Sequence, residues 1–196
     1  MEREDFYWYQ ELIRQDIHGC ELTAVEEQKV IEGAMAAAED MCSFVRERYS
    51  FVHSRDLAKK MGMDIVEQSD ASQHIYSYFG LYLPQEQKII LNLEAIQRTE
   101  QFIEECVREH VFLIPLLSEI VSYHEIFHGL EERFPDIYTR SQMICRKRFG
   151  LFPYQRGLSS ASEIGAIHFS KQILSLSYSP CIYGEYYRQA SVLMGY

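Results

Sequence analysis

Basic charge is scarce in this chain. Its 19 Lys and Arg stand against 29 Asp and Glu, a formal net charge of -10 over 196 residues. Holding nucleic acid takes a basic face that neutralises phosphates, so DNA and RNA are excluded as general partners. Long apolar runs are missing as well: the longest, Val111 to Leu117, stops far short of the ~20 residues of a membrane span. The opening MEREDFYWYQ has neither the basic start nor the apolar stretch of a signal peptide, so a cytoplasmic protein with no membrane partner is expected. The five cysteines are odd in number, scattered and without a CxxC pair, which suggests neither a disulfide framework nor a thiolate zinc site. GxSxG elbows, P-loops and dinucleotide fingerprints are also lacking.

At this length one domain can bury a full core without staples, so any metal would be functional before it is structural. Turn and cap residues divide the chain. An aromatic helix over about residues 4–17 ends at Gly19, and Thr23-Ala24-Val25-Glu26 is a capping box opening a helix to about Arg48. Ser54 reads as the N-cap of a short helix closed by Gly62, with the alternating Met63 to Glu67 as a strand directly after it. His74 to Leu83 and Lys88 to Leu93 read as strands joined by a hairpin loop at Pro84 to Gln87, giving a sheet of about three strands. From Glu94 the pattern is helical. Pro115 sits in the first turn of a helix running to about Arg133, a further helix covers about Asp136 to Phe149, and a last one starts near Ser159 and runs to about Ser177. The fold class expected is α+β, mostly helical, in a single domain.

Within the helix ending at Arg133 stands His124-Glu125-Ile126-Phe127-His128. Residues i and i+4 lie about 40° apart around a helix and ~6 Å apart along it, so two imidazoles can converge on one Zn²⁺. Glu125 projects about 100° away from that pair, where it can take a proton from a metal-activated water without itself binding the metal. Chance alone would put this pattern in such a chain about 3% of the time, which gives the flanks their weight. Val121, Ser122, Tyr123, Ile126, Phe127, Gly129 and Leu130 are uncharged, as a buried metal helix requires. The competing reading is a pair of helix histidines satisfied by carboxylates such as Glu131 or Glu132.

A catalytic zinc usually has a third protein ligand. Glu163 is the only acidic residue between Asp136 and Glu185, and the small residues Gly165 and Ala166 beyond it suggest close helix packing. Ser160-x-x-Glu163 also fits a capping box, in which case Glu163 would stand in solvent. His168, five residues on, points well around the helix, so Glu163 is the favoured ligand. An oxyanion-stabilising tyrosine could come from Tyr178, Tyr183, Tyr186 or Tyr187.

The order of these features resembles the ImmA/IrrE family of bacterial metallopeptidases. Ser54 to Gln68 resembles the family's helix-into-strand segment, Lys88 to Ile96 its hairpin strand with Asn, HEIFH its HExxH helix, and Glu163 with Ala166 its later ligand helix. The resemblance covers about residues 54–176, leaving 1–53 as an N-terminal helical extension and 177–196 as a C-terminal segment. It implies a zincin-like metallopeptidase domain with Zn²⁺ on His124, His128 and Glu163, Glu125 as general base, and a protein or peptide substrate such as a transcriptional repressor. The family's short connection into HExxH is replaced here by an extended helical segment from Arg98 to about Tyr123, which raises the question of access to the cleft. The alternative function is a zincin-shaped module that binds a regulator without hydrolysing it.

Overall fold

A computed structural model describes residues 2–50, 53–69, 79–107, 117–148 and 152–193. The expected α+β class holds: the chain is mostly helical, with a small mixed sheet of three strands. Helix α1 (Glu2–Gln15) is followed by α2 (Ala24–Tyr49), whose Thr23 cap accepts from the Glu26 N–H while Glu26 accepts from the Thr23 N–H at 2.8 Å. This is the predicted capping box. Its buried Ala34, Ala37 and Ala38 line the side packed on helix α7 (Ser159–Ile173), since small side chains let two helices approach closely.

Helix α3 (Ser54–Lys60) closes through Gly62 in the left-handed region, φ +72°, and turns into β1 (Asp64–Gln68), as expected. Ser54 is not its N-cap. His53 takes that place without a side-chain bond, and Ser54 instead donates its N–H and Oγ to Glu119 at 3.1 and 2.8 Å. A carboxylate of α5 (Leu117–Arg133) thus satisfies the first turn of α3 from across the core. β1 pairs parallel with β3 (Lys88–Asn92), and β2 (Gly80–Leu83) pairs antiparallel with β3 through the predicted hairpin. The order β1-β3-β2 leaves β2 on an edge. The part of the predicted second strand before Phe79, and Pro115, fall outside the described residues.

Asn92 caps α4 (Leu93–Cys106), accepting from the Ala95 N–H at 3.1 Å. α4 packs on a C-terminal helix α8 (Ile182–Leu193) through Phe102 and Tyr186. α5 lies between the sheet and α7, and its buried Ile120, Ile126, Phe127 and Leu130 form the middle of the main core. A second cluster joins Tyr9 and Ile13 of α1 to Val30 and Ile31 of α2 and Ala161 and Ile164 of α7. The N-terminal helices therefore pack directly against the helix that carries Glu163.

The helix expected over Asp136 to Phe149 is replaced. One helical turn, α6 (Tyr138–Ser141), is followed by a hairpin of β4 (Met143–Arg148) and β5 (Phe152–Gly157). Arg and Lys are good helix formers, which is why the local pattern favoured a helix. Burial decides otherwise: Ile144 is 5% exposed within the second core cluster, and the ladder to β5 satisfies the backbone of both strands. Tyr138 lies across α2 at Gly33, where a Cβ would come within 2.3 Å of its ring. α7 ends at Ile173, short of Ser177. Among the described residues no helix is long and apolar enough to cross a membrane.

Candidate metal centre

His124 and His128 lie one turn apart on α5, their ring centroids 5.0 Å apart and their Nε2 atoms 3.3 Å apart. α7 crosses α5 and brings Glu163 opposite them. Its Oε2 is 3.3 Å from His124 Nε2 and its Oε1 3.8 Å from His128 Nε2. A tetrahedral ion bound at ~2.0–2.1 Å spaces its ligand atoms about 3.3 Å apart. The two Nε2 atoms, and His124 with Glu163 Oε2, stand at that edge length, His128 lies somewhat farther from the other Glu163 oxygen, and together the three side chains could hold a metal ion. The two imidazoles are about one-fifth exposed and the Glu163 side chain 47% exposed, so one side of the group faces outward.

Glu163 does not cap its own helix. The N-cap position of α7 is Leu158, which makes no side-chain bond, and the first turn is served by Asp16 at the end of α1. Asp16 Oδ2 accepts from the Ser160 N–H at 2.8 Å and from Ser159 Oγ at 3.0 Å. Burial alone would raise the Asp16 pKa, but these hydrogen bonds and one from the His18 N–H hold it below the ordinary carboxylate range. The same contest at Glu163 is won by the hydrogen bond to His124 and the charges of both histidines, which bring its pKa down to about 2. Glu163 therefore stays an anion, the form a cation binds.

The competing reading of the histidines is also realised, on the other ring nitrogen. Glu131 Oε2 lies 2.9 Å from His128 Nδ1, which leaves Nε2 free to face His124 and Glu163. Burial disfavours charge on His128, but Glu131, Glu125 and Glu163 outweigh it and push its pKa up to about 9. Glu132, by contrast, pairs with Arg140 at 2.6 Å.

Glu125 is 6% exposed and accepts from the Tyr82 backbone N–H of β2. Burial raises its pKa, with His124 and His128 opposing. Gly80 allows this close approach: a Cβ there would fall 2.9 Å from both Cγ and Oε1 of Glu125. The edge strand and the motif helix are in contact at the carboxylate that would handle the proton.

His168 is not part of the group. It is 2% exposed on the side of α7 facing α1 and α2, with Tyr9 Oη 3.2 Å from Nδ1 and Glu39 Oε1 3.4 Å from Nε2. The metal side opens into a cleft of about 1290 Å³, walled by Gly80 and Leu81 of β2, Trp8 and Leu12 of α1, and Tyr183 of α8. None of the described lining residues belongs to α4, so that half of the long connection lies away from the opening. Of the four candidate tyrosines Tyr183 lines the cleft, with its hydroxyl 3.0 Å from that of Tyr178, while Tyr187 packs on Phe79. Trp8 and Leu12 carry no local signal of a site, because only the docking of α1 along α7 brings them to the cleft.

No protein-family model, curated protein or solved structure matches this chain. The side-chain geometry is what any assignment of its chemistry rests on.

Proposed function

We propose that the chain is a zinc-dependent endopeptidase of cytoplasmic location that hydrolyses peptide bonds of a partner protein. What carries the reading is the convergence of His124 Nε2, His128 Nε2 and a Glu163 carboxylate oxygen within 4.8 Å of one another, with Glu125 buried beside them. Two histidines and one carboxylate are a ligand set of catalytic zinc, which leaves one position for water or a carbonyl oxygen. When bound, the ion supplies Lewis acidity and makes a water acidic enough to lose a proton near neutral pH.

The remaining work falls to Glu125. As water oxygen bonds to the scissile carbonyl carbon, the Glu125 carboxylate takes the water proton, and it returns that proton to the amine as the C–N bond breaks. Its raised pKa makes it a stronger base towards the water proton, and as a carboxyl group it is still acidic enough to return that proton to the far more basic amine. A repressor or another regulator as the substrate follows from the family resemblance alone.

The test is a cleavage assay on candidate partner proteins together with metal analysis of chain purified without chelator. One zinc per chain with cleavage that disappears in Glu125→Gln supports the reading. A Glu125→Gln variant as active as the parent sinks the mechanism. Zinc bound without any cleavage leaves the non-hydrolysing interaction module in its place.

A further inference from the structure

Glu131 stands one turn past His128 and is 5% exposed, yet it is the meeting point of three helices. Its Oε2 receives His128 Nδ1 at 2.9 Å and Ser162 Oγ at 2.6 Å, and its Oε1 receives Thr139 Oγ1 at 2.5 Å. Ser162 Oγ also lies 3.2 Å from His128 Nδ1, and Arg140 Nη1 donates to the Glu131 backbone carbonyl at 3.2 Å. Each carboxylate oxygen thus has a donor, as a buried anion requires.

We propose that Glu131 is the positioning residue of the metal centre, orienting two of its three ligands: His128 directly and Glu163 through its neighbour Ser162. The first part follows from imidazole chemistry. A metal binds the neutral ring, displacing the second proton; that ring carries one N–H, and an anionic acceptor at Nδ1 places the hydrogen there, so the lone pair is on Nε2, the atom that faces His124 and Glu163. The second part follows from connectivity. Ser162 precedes Glu163 on the first turn of α7, so its hydroxyl bond to Glu131 ties that turn to α5 next to the ligand. Thr139 of α6 holds the second oxygen and prevents the carboxylate from rotating off both contacts.

This role rests on the metal reading above and deepens it. It also resolves the apparent rivalry between a metal-binding and a carboxylate-satisfied histidine: the two partners use opposite nitrogens of one ring.

The experiment measures zinc affinity of the full chain by competition with a chromophoric chelator, and the visible spectrum of the Co²⁺-loaded chain. Parent, Glu131→Ala, Glu131→Gln, Ser162→Ala and the neighbouring control Glu132→Ala are compared. Glu131→Ala should bind zinc about 10- to 100-fold more weakly, with a changed Co²⁺ spectrum. Gln keeps an oxygen for His128 Nδ1–H and should recover most of the affinity, while the Co²⁺ spectrum, which reports the ligand geometry itself, separates the positioning role from a loss of packing. Ser162→Ala keeps the carboxylate and should weaken zinc by about threefold to tenfold, the worth of one hydrogen bond, which retains the test if Glu131→Ala does not fold. Glu132→Ala should leave affinity and spectrum unchanged.

Affinities of Glu131→Ala and Ser162→Ala within a factor of two of the parent, with the parent's Co²⁺ spectrum, overturn the positioning role and leave the metal centre standing. A parent chain that takes up neither Zn²⁺ nor Co²⁺ overturns both.

Discussion

Helix α7 carries two polar clusters on opposite faces, each built around histidine and glutamate. Towards α5 stand Glu163 and Ser162 with His124, His128 and Glu131. Towards α1 and α2 stand His168 and Lys171 with Tyr9, Glu39 and Asp5. In the second cluster the protein supplies partners on both sides of the ring: His168 has Tyr9 at Nδ1 and Glu39 and Gln172 near Nε2, and Lys171 is paired with Asp5. Burial there holds the His168 pKa down against the pull of Glu39. In the first, three ligand atoms stand within bonding reach of one ion and partner one another, and the group opens to a cleft. Residue type therefore does not mark the site; the marker is ligand atoms converging on a point no protein atom fills.

Removing the proposed acid-base group should give the largest difference between the two clusters. Glu125→Gln is expected to reduce cleavage by about 10²- to 10⁴-fold with zinc content unchanged, read by initial rates beside metal analysis. The opposite cluster should respond in stability alone. Lys171→Met leaves the Asp5 carboxylate buried without its cation, and Asp5 Oδ1 already has no hydrogen-bond partner among the described residues. Breaking a buried pair from one side costs about 3–5 kcal/mol, which at this size lowers the melting temperature by roughly 6–20 °C. Zinc affinity of the folded variant should equal that of the parent. The Asp5→Asn, Lys171→Met double variant should regain part of the loss, and a variant that loses zinc in proportion to its stability would show that the two faces are one unit.

Metal addition is the next smaller effect. A ligand that binds only the folded chain stabilises it by about 2.7 kcal/mol at 100 times its Kd, or roughly 5–10 °C of melting temperature. Zinc should produce that shift in the parent and in Lys171→Met, and none in His124→Ala. A chelated parent should keep its helical circular dichroism, because the core around α5 closes on side chains without the ion. An apo chain that unfolds would make the site structural.

Much of this arrangement was legible because its signals are local. The Thr23 box, Gly62, the hairpin and HEIFH each depend on residues a few positions apart, and the structure places them where their spacing predicts. Glu163 was legible as a lone carboxylate ahead of small residues. What escaped was set across the fold. Ser160-x-x-Glu163 has the form of a capping box, but the cap comes from Asp16, 144 positions away, and Ser54 is served by Glu119, 65 positions away. The β4–β5 hairpin escaped for the same reason, since burial of Ile144 against α1, α2 and α7 overrides the helix propensity of its basic neighbours. Glu131 was visible at i+3 from His128 but could be counted only as a rival to the metal, because sequence does not say which ring nitrogen it meets.

Asp16 provides the smallest and most local probe of how the two faces communicate. It holds the first turn of α7 from the end of α1, three residues before Glu163, and leaves Glu163 free to face the histidines. Replacing such a cap by Ala costs about 1 kcal/mol. Its folded pKa is lowered, so the stabilisation is fully present above the ordinary carboxylate range and is lost as pH falls through the lowered value. The difference in stability between parent and Asp16→Ala should therefore be constant from neutral pH down to about pH 5 and shrink below it, followed by denaturant melts at each pH. Asp16→Asn keeps an acceptor for the Ser160 N–H and should lie between the two at neutral pH. If zinc affinity at neutral pH also falls in Asp16→Ala but not in Lys171→Met, the start of α7 is what sets Glu163, and the rest of its α1-facing side serves stability alone.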